Sequence, residues 1–209
     1  MRCVDELFVS TRWKYRAAAA QKSAPKAAAK PSAKVAAWVE PPEDPATFER
    51  IATALTAAGI RFSLTEHNPV KTSAEAARIR GVSLASGAKA MFLFDKKKKK
   101  YFLAVISAAT AIDFKKLRKV TGKRSNLASQ ELTLAVTGCL TGAVPPFGSL
   151  MTGGGDGVTV QTVCDHSLVA QGDEISFNCG LRTKSVRIRV ADWQRFEQPM
   201  MVDFGASAQ

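Results

Sequence analysis

The chain has 209 residues, 46% of them hydrophobic, and a net charge of +12 at neutral pH. This excess of positive charge indicates a polyanionic partner, with RNA as the first choice. The four cysteines form no C-x-x-C pair, only two histidines are present, and no run of 18 apolar residues occurs. These features argue against a zinc site of standard spacing and against a membrane-spanning helix. We expect no metal, no cofactor, no membrane partner, and free thiols in the cytoplasm or the mitochondrial matrix rather than secretion.

Residues 1–42 form a basic tail that differs from the rest of the chain. Between Ala17 and Ala37, eleven of 21 residues are alanine, interrupted by prolines and by Lys22, Lys26, Lys30 and Lys34. Such a tract has no large apolar side chains to bury, so we expect it to be extended or disordered when free. The lysine spacing suits contact with RNA phosphates, while a solubilising linker and a mitochondrial presequence are alternative interpretations.

A folded domain is expected over residues 43–200, and its helices are predicted from capping residues. These have side-chain oxygens that accept hydrogen bonds from the first free backbone amides of a helix. The predicted helix starts are Asp44, Thr72, Asp113, Ser129 and Asp192. Glycines that suit a left-handed helix end follow three of these segments, at Gly59, Gly81 and Gly138.

Strands are predicted for apolar segments rich in β-branched and aromatic residues. In chain order they are RFSLTEH, AKAMFLF, YFLAVIS, VTVQTVC, EISFNCG and TKSVRIR. Asp95 and the five lysines of residues 96–100 separate the second and third segments and suit a solvated hairpin tip. Mixed strands and helices without repeats indicate an α/β (α+β mixed) single domain, followed by a C-terminal tail over residues 201–209.

Familiar catalytic signatures are absent, including G-x-S-x-G, a Walker loop and paired carboxylates. Cys139 follows a glycine, but neither histidine is near it in sequence, so a small buried thiol is favoured over a nucleophile. Lys89 interrupts the apolar segment GAKAMFLF. Burying a lysine there is costly unless it faces a cleft, pairs with a partner or reaches solvent along its own stem.

The segment TGAVPPFGSL, residues 141–150, is a stiff loop between a predicted helix and a predicted strand. Gly142 allows a ligand to approach the backbone closely, and Pro145 and Pro146 fix the chain and carry no amide hydrogen. The remaining amides can therefore be aimed at a carbonyl or at a developing oxyanion. A purely structural connector is the alternative.

Five segments occur in an order and spacing typical of one family: EHNPVKTSAEAA, SGAKAMFLF, GAVPPFG, VCDHSL and ISFNCGLRTKSVRI. Together they make the chain resemble the YbaK/ProX family of aminoacyl-tRNA deacylases, which includes the editing domains associated with prolyl-tRNA synthetases. The resemblance covers roughly residues 46–199. The fold it implies is a compact α/β domain, in which helices surround a mixed and strongly curved sheet.

The resemblance also implies roles for individual residues. Lys89 matches the family's essential lysine, which positions the terminal adenosine and its ester. Gly142 and Pro146 match the glycine and proline of the G-x-x-x-P loop, whose amides, with Ala143 and Val144 between them, would meet the ester carbonyl. The remaining matches surround the aminoacyl pocket and are His67, Thr72, Asp165, His166, Phe177 and Asn178.

Family members hydrolyse the ester that joins a wrong amino acid to the 3′ end of a tRNA, commonly alanine or cysteine on tRNA for proline. The resemblance implies this activity in trans, with the tRNA acceptor end as partner. Besides the tail, phosphate contacts are expected from Lys96, Lys97, Lys98, Lys99, Lys100, Lys115, Lys119, Lys123 and Arg124. The alternative hypothesis is an RNA-binding component of a ribonucleoprotein, such as the mitochondrial ribosome or its assembly intermediate, with ribosomal RNA and ribosomal proteins as partners.

Overall fold

A computed structural model describes residues 38–70, 72–151, 153 and 158–206. Its helices are α1 (Ala46–Ala57), α2 (Ser73–Arg80), α3 (Phe114–Thr121), α4 (Gln130–Thr137), α5 (His166–Val169) and α6 (Val190–Glu197). Its strands are β1 (Phe62–Glu66), β2 (Ala88–Asp95), β3 (Lys100–Ser107), β4 (Ser125–Leu127), β5 (Val160–Asp165), β6 (Glu174–Asn178), β7 (Lys184–Arg189) and β8 (Met200–Val202). The tail lysines Lys22, Lys26, Lys30 and Lys34 lie outside the described residues, so their predicted RNA contacts and the ribonucleoprotein hypothesis stay predictions.

The strands form two sheets of different character. Three antiparallel strands give the smaller sheet, in the order β1-β7-β6. The larger sheet has the order β4-β2-β3-β5-β8, with antiparallel pairs at one end and the parallel pairs β3–β5 and β5–β8 at the other. The predicted mixed α/β class is confirmed.

The two sheets meet at one backbone bridge, where Gly87 pairs with Ser176 in the parallel sense. Beyond that bridge β2 and β6 make no further ladder pairs in the described part of the chain. Lys89 of β2 and Asn178 of β6 each lie two residues past the bridge, where these two strands no longer pair with each other. The strands predicted as one curved sheet therefore separate here, and the space between them is available to a ligand.

Capping residues begin the helices much as the sequence predicts. Thr72 and Glu75 form a complete capping box on α2, and Gly81 ends the helix in the left-handed conformation. The side chain of Asp113 accepts two amides at the start of α3, and that of Ser129 accepts one at the start of α4. Local hydrogen bonding thus fixes where these helices start.

Three segments differ from the sequence predictions. Helix α1 has Pro45 and not Asp44 at its N-cap position, although the Asp44 carboxylate accepts the Ala46 amide at 2.9 Å. Asp192 does not cap the last helix, because α6 begins at Val190, whose amide donates to Asp173 O at 2.7 Å. The carboxylate of Asp192 instead pairs with Arg189 and Arg195. The segment expected to be a C-terminal tail contributes β8 and the fully buried Phe204.

The apolar interior is divided between the two faces of the larger sheet. The larger cluster includes Trp193, Phe147 and Phe177, all fully buried. The smaller cluster packs Leu117 of α3 against Phe204 and the other face of the sheet. Within the described residues no helix is both long and apolar enough to cross a membrane.

Gly180 provides a test of how tightly α1 packs against the loop after β6. Gly180 has φ +79°, and a Cβ there would lie 2.7 Å from Phe48 N, whereas Gly59 has φ +66° and open space. We expect Gly180→Ala to lower the free energy of unfolding by about 3 kcal/mol or more, because strain and a backbone clash combine. Gly59→Ala adds strain alone and should cost about 1 kcal/mol. Urea denaturation measures both, and equal losses would refute the packing described.

Candidate active site

A cleft opens where β2 and β6 separate. It encloses about 530 Å³, including the part open to solvent. One face of α2 forms a wall, the start of β2 forms the opposite wall, and the loop after α4 closes one end. The lining residues are Thr72, Ser73, Ala76, Arg80, Gly87, Ala88, Lys89, Ala90, Ala108, Gly142, Val144 and Asn178. Because most of these side chains are small, they leave room for a ligand between the walls.

Lys89 extends from β2 into this cleft. Its strand position is opposite Ile106 of β3, and its Nζ donates to Thr110 O at 3.1 Å. Burial lowers the pKa of this ammonium from its ordinary value. The lysine that interrupts an apolar strand is therefore half-buried at a cleft, which is one of the arrangements that makes such a position tolerable.

The loop over residues 141–147 is held by its carbonyl groups. Thr141 O accepts from Arg182 Nε at 3.0 Å and from its terminal nitrogen at 2.7 Å. Asn178 Nδ2 donates to Gly142 O at 2.8 Å, and Gly180 N donates to Ala143 O at 2.9 Å. Three successive carbonyls are thus bound on the side of β6 and the turn that follows it.

Fixing these carbonyls also fixes the amides between them. Each peptide unit is planar and trans, so the amide of Gly142 points away from Thr141 O and the amide of Val144 points away from Ala143 O. Neither amide has an acceptor in the part of the chain described here. Gly142 adopts φ +92°, a conformation that favours glycine. The loop therefore carries two oriented donors of the kind that bind a carbonyl or an oxyanion.

Arg182 also ties this loop to the segment before α1. Its guanidinium pairs with Glu40 at 2.5 Å, and its backbone amide donates to Glu43 at 2.9 Å. The hydrogen bond that Arg182 donates to the Glu40 carboxylate raises the pKa of Arg182. Since the Arg182 side chain is only 11% exposed, these contacts hold the loop more firmly than a surface ion pair would.

Among the cleft residues that the sequence reasoning missed, the charged one is Arg80 at the end of α2. Its Nε donates to Ser185 Oγ at 2.8 Å and a terminal nitrogen donates to Asn178 Oδ1 at 2.5 Å. Ser185 Oγ in turn lies 2.6 Å from His67 Nε2. Ser73, Ala76 and Arg80 are three and four residues apart, which places them on one helix face. This spacing is the sequence feature that could have indicated Arg80 as a cleft residue.

Five of the predicted site residues line the same cleft: Lys89, Gly142, Val144, Thr72 and Asn178. The lysine and the glycine–proline loop, far apart in sequence, face one cavity as the resemblance implied. Side-chain packing leaves that cavity open because half of its lining residues are alanine or glycine.

Other predicted site residues do not line the cleft. Ala143 is fully buried, and the Pro146 carbonyl accepts from Trp193 Nε1 at 2.8 Å, so both lie on the core side of the loop. Phe177 is buried edge-to-face against Phe147. His67 contacts Ser185 behind Arg80.

Asp165 and His166 also lie outside the cleft. Asp165 is buried at the end of β5, where its carboxylate accepts the amides of Phe204 and Gly205 at 2.7 and 2.6 Å. Burial opposes its ionisation, but the hydrogen bonds from Ser167, Phe204 and Gly205 together outweigh burial and lower its pKa. His166 is exposed at the start of α5. In this structure Asp165 anchors the C-terminal strand segment.

Exposed cations form a separate basic surface beside the hairpin tip. Lys98, Lys115, Arg118, Lys119 and Lys123 line one shallow groove. Asp95 is buried below the tip and accepts the amides of Lys97 and Lys98. The other cations predicted to bind RNA are exposed near this groove or along the tip: Lys96, Lys97, Lys99, Lys100 and Arg124. The fold thus brings residues 96–100 and 115–124 onto one positively charged surface.

The described cysteines are free and buried, and burial raises the pKa of Cys139 to about 11 and those of Cys164 and Cys179 to about 12. A protonated, enclosed thiol is a poor nucleophile. In the described ranges no group of three or more His, Cys, Asp or Glu side chains is placed to hold a metal ion.

Comparison with known proteins identifies the family. Residues 67–196 match the profile of the aminoacyl-tRNA editing domain. The chain belongs to the aminoacyl-tRNA editing domain family. The match includes Arg80, Lys89, Gly142, Val144 and Asn178, so the cleft lies within the editing domain.

Two curated relatives support this membership. The multifunctional Ser/Thr-tRNA deacylase ProXp-y of Escherichia coli (strain K12) is 33% identical over 165 residues, which cover 78% of this chain and 95% of the relative. The prolyl-tRNA editing protein ProX of Acetoanaerobium sticklandii is 31% identical over 113 residues, covering 54% of this chain and 67% of the relative. The resemblance to YbaK/ProX deacylases is therefore confirmed.

Solved structures show the same editing-domain fold. A crystal structure named as a candidate trans-editing enzyme for prolyl tRNA synthetase matches with a TM-score of 0.65 and 20% identity, covering 77% of this chain and 98% of that one. At that identity the likeness shows the fold alone.

Proposed function

We propose that this editing-domain protein hydrolyses the ester of mischarged aminoacyl-tRNA in trans. The observation that carries the proposal is the placement of Lys89, Gly142 and Val144 around one open cleft, with the amides of both loop residues lacking an acceptor in the described chain. A cation and two unoccupied donors suit a ligand that has negative charge at one point and a reactive carbonyl at another.

The reaction follows from this geometry. The ester carbonyl accepts hydrogen bonds from the loop amides while Lys89 holds the terminal adenosine. Water attacks the carbonyl carbon and the amides stabilise the tetrahedral oxyanion. The bond to the ribose oxygen then breaks, and that oxygen takes a proton as the free amino acid leaves. One oriented oxyanion donor contributes about 3 kcal/mol to lowering such a barrier.

No side-chain base is needed at the reacting carbon. An aminoacyl ester is already activated. The neighbouring ribose hydroxyl can relay a proton, accepting one from the attacking water as it passes its own to the departing ribose oxygen. The protein supplies orientation, which alone lowers a barrier by several kcal/mol. This account agrees with the absence of an accessible nucleophilic thiol among the described cysteines.

The amino acid removed is a small one in this proposal. Ala76, Ala88 and Ala90 line the cleft walls together with the hydroxyl-bearing residues Thr72 and Ser73. Alanine and cysteine on tRNA for proline were expected from the sequence. The name of the Escherichia coli relative adds serine and threonine. All four side chains are compatible with a narrow cleft that has both methyl and hydroxyl groups on its walls.

The basic surface over residues 96–100 and 115–124 is the proposed contact for tRNA phosphates. Its lysines at residues 96–100 lie at the hairpin tip that follows β2, the strand that also carries Lys89, and its other cations lie on or just after α3. A tRNA acceptor end held there can reach the cleft through the single-stranded 3′ terminus. Attraction of this type weakens as salt rises because bound counterions are released.

Substitution of Lys89 tests the catalytic proposal. Tested with tRNA for proline charged with alanine, cysteine, serine or threonine, the wild-type chain should release at least one amino acid. Lys89→Ala should lower kcat/KM by about 100-fold or more, because the terminal adenosine is no longer positioned. Lys184→Met is the control, since Lys184 pairs with Glu66 away from the cleft. Undiminished deacylation by Lys89→Ala would refute the proposed role.

Neutralising the basic surface tests the RNA contact. The double variant Lys98→Gln/Lys119→Gln should weaken tRNA binding and reduce the slope of log affinity against log salt by about 2. The control, Arg61→Gln/Arg78→Gln, removes two exposed charges elsewhere. Fluorescence titration at several salt concentrations measures both. A control that loses as much slope as the test variant would place the RNA on another surface.

A further inference from the structure

Arg80 is a half-buried cation held by neutral partners. Its side chain donates hydrogen bonds to Ser185 Oγ and Asn178 Oδ1, and no carboxylate lies within salt-bridge distance among the described residues. Burial lowers the pKa of this guanidinium to about 10. Taking an arginine out of water without a counter-ion is costly, so the position needs an explanation.

The cleft as a whole shares this imbalance. Its lining contains two cations, Arg80 and Lys89, and no aspartate or glutamate. Both cations lose solvation through burial. An anion bound between the cleft walls would recover the electrostatic energy that burial removes. The charge of the cleft therefore selects for a ligand with a negative group.

The guanidinium has donors left to bind such a group. Arginine carries five N–H hydrogens, and the two hydrogen bonds to Ser185 and Asn178 use two of them. Ser73 and Ala76, on the same face of α2, are small and leave the space beside Arg80 open. The same two contacts that hold Arg80 also fix the direction of its planar fork, as bidentate binding of a phosphate requires.

We propose that Arg80 binds the phosphate on the 5′ side of the terminal adenosine of the substrate. The inference rests on the proposed function, because it takes the cleft to receive the 3′ end of a tRNA. In that end the phosphate is the anionic group nearest the ester. The protonated α-amine of the amino acid is a cation, which Arg80 repels. Arg80 thereby orients the terminal nucleotide, while Lys89 binds the adenosine and the loop amides bind the ester carbonyl.

Nucleotide binding by the full-length chain tests the inference without any catalysis. Adenosine 5′-monophosphate carries the proposed phosphate, and adenosine lacks it. NMR titration should show that wild-type protein binds the monophosphate at least tenfold more tightly than adenosine. Arg80→Gln should lose most of that preference and retain its adenosine affinity, because adenosine has no phosphate for Arg80 to bind.

Two further variants separate charge from structure. Arg78→Gln removes the same charge from an exposed position on the same helix and should keep the full preference. Arg80→Lys keeps a positive charge without the planar fork and should keep part of it. If Arg80 only ties α2 to the sheet, its loss will weaken binding of both ligands equally, and that result would overturn the inference.

The failure of this inference can be told apart from failure of the proposed function. Wild-type protein that binds the two ligands equally would refute the phosphate site even if deacylation is observed. The phosphate site at Arg80 would also be refuted if Arg80→Gln keeps the preference for the monophosphate and Lys89→Met abolishes it. Lys89 alone would then bind the phosphate. A normal phosphate preference in a chain that hydrolyses no aminoacyl-tRNA would instead refute the catalytic proposal and leave the phosphate site standing.

Discussion

The direction of two peptide groups in the loop after α4 determines what the cleft can do. Arg182 binds the carbonyl of Thr141 and the amide of Gly180 binds the carbonyl of Ala143, so the amides of Gly142 and Val144 point the opposite way. Neither direction depends on a flexible side chain within the loop itself. The donors are oriented before any ligand arrives, and such preorganisation is what makes an oxyanion site effective.

Positive charge complements this geometry both inside the cleft and on the surface outside it. Within the cleft, Arg80 and Lys89 have no acidic lining residue to balance them. Outside it, the lysines of the hairpin tip and α3 form a broader positive surface. The cleft cations and the outer positive surface both lie on, or next to, the strand pair β2–β3. One strand pair therefore links the proposed tRNA contact to the proposed reaction site. Long-range attraction and local orientation are thereby carried by the same part of the fold.

The sequence predicted the parts of this arrangement that depend on local chemistry. Thr72, Asp113 and Ser129 were identified as caps because a capping side chain and the amides it accepts are neighbours in sequence. Lys89 was identified because it breaks an apolar run. The meeting of Lys89 with Gly142 came from family resemblance, since no local rule states which strand will lie beside which loop.

What the sequence did not predict depends on contacts between distant segments. In the sequence Arg182 has nothing to distinguish it from a surface cation. The fold brings Glu40 and the Thr141 carbonyl to it. Arg80 is unremarkable in a basic chain until burial removes its solvent. Residues 201–209 were predicted as a tail, whereas β8 is held by pairing with β5 and the segment after it by the Asp165 carboxylate.

The most direct test is the structure of the full-length chain with a stable substrate analogue, in which an amide replaces the ester between alanine and the 3′ position of adenosine. The account predicts the analogue in the cleft, with its carbonyl oxygen about 3 Å from the amide nitrogen of Gly142 or Val144. An analogue bound elsewhere, or bound in the cleft with its carbonyl turned away from both amides, would contradict it.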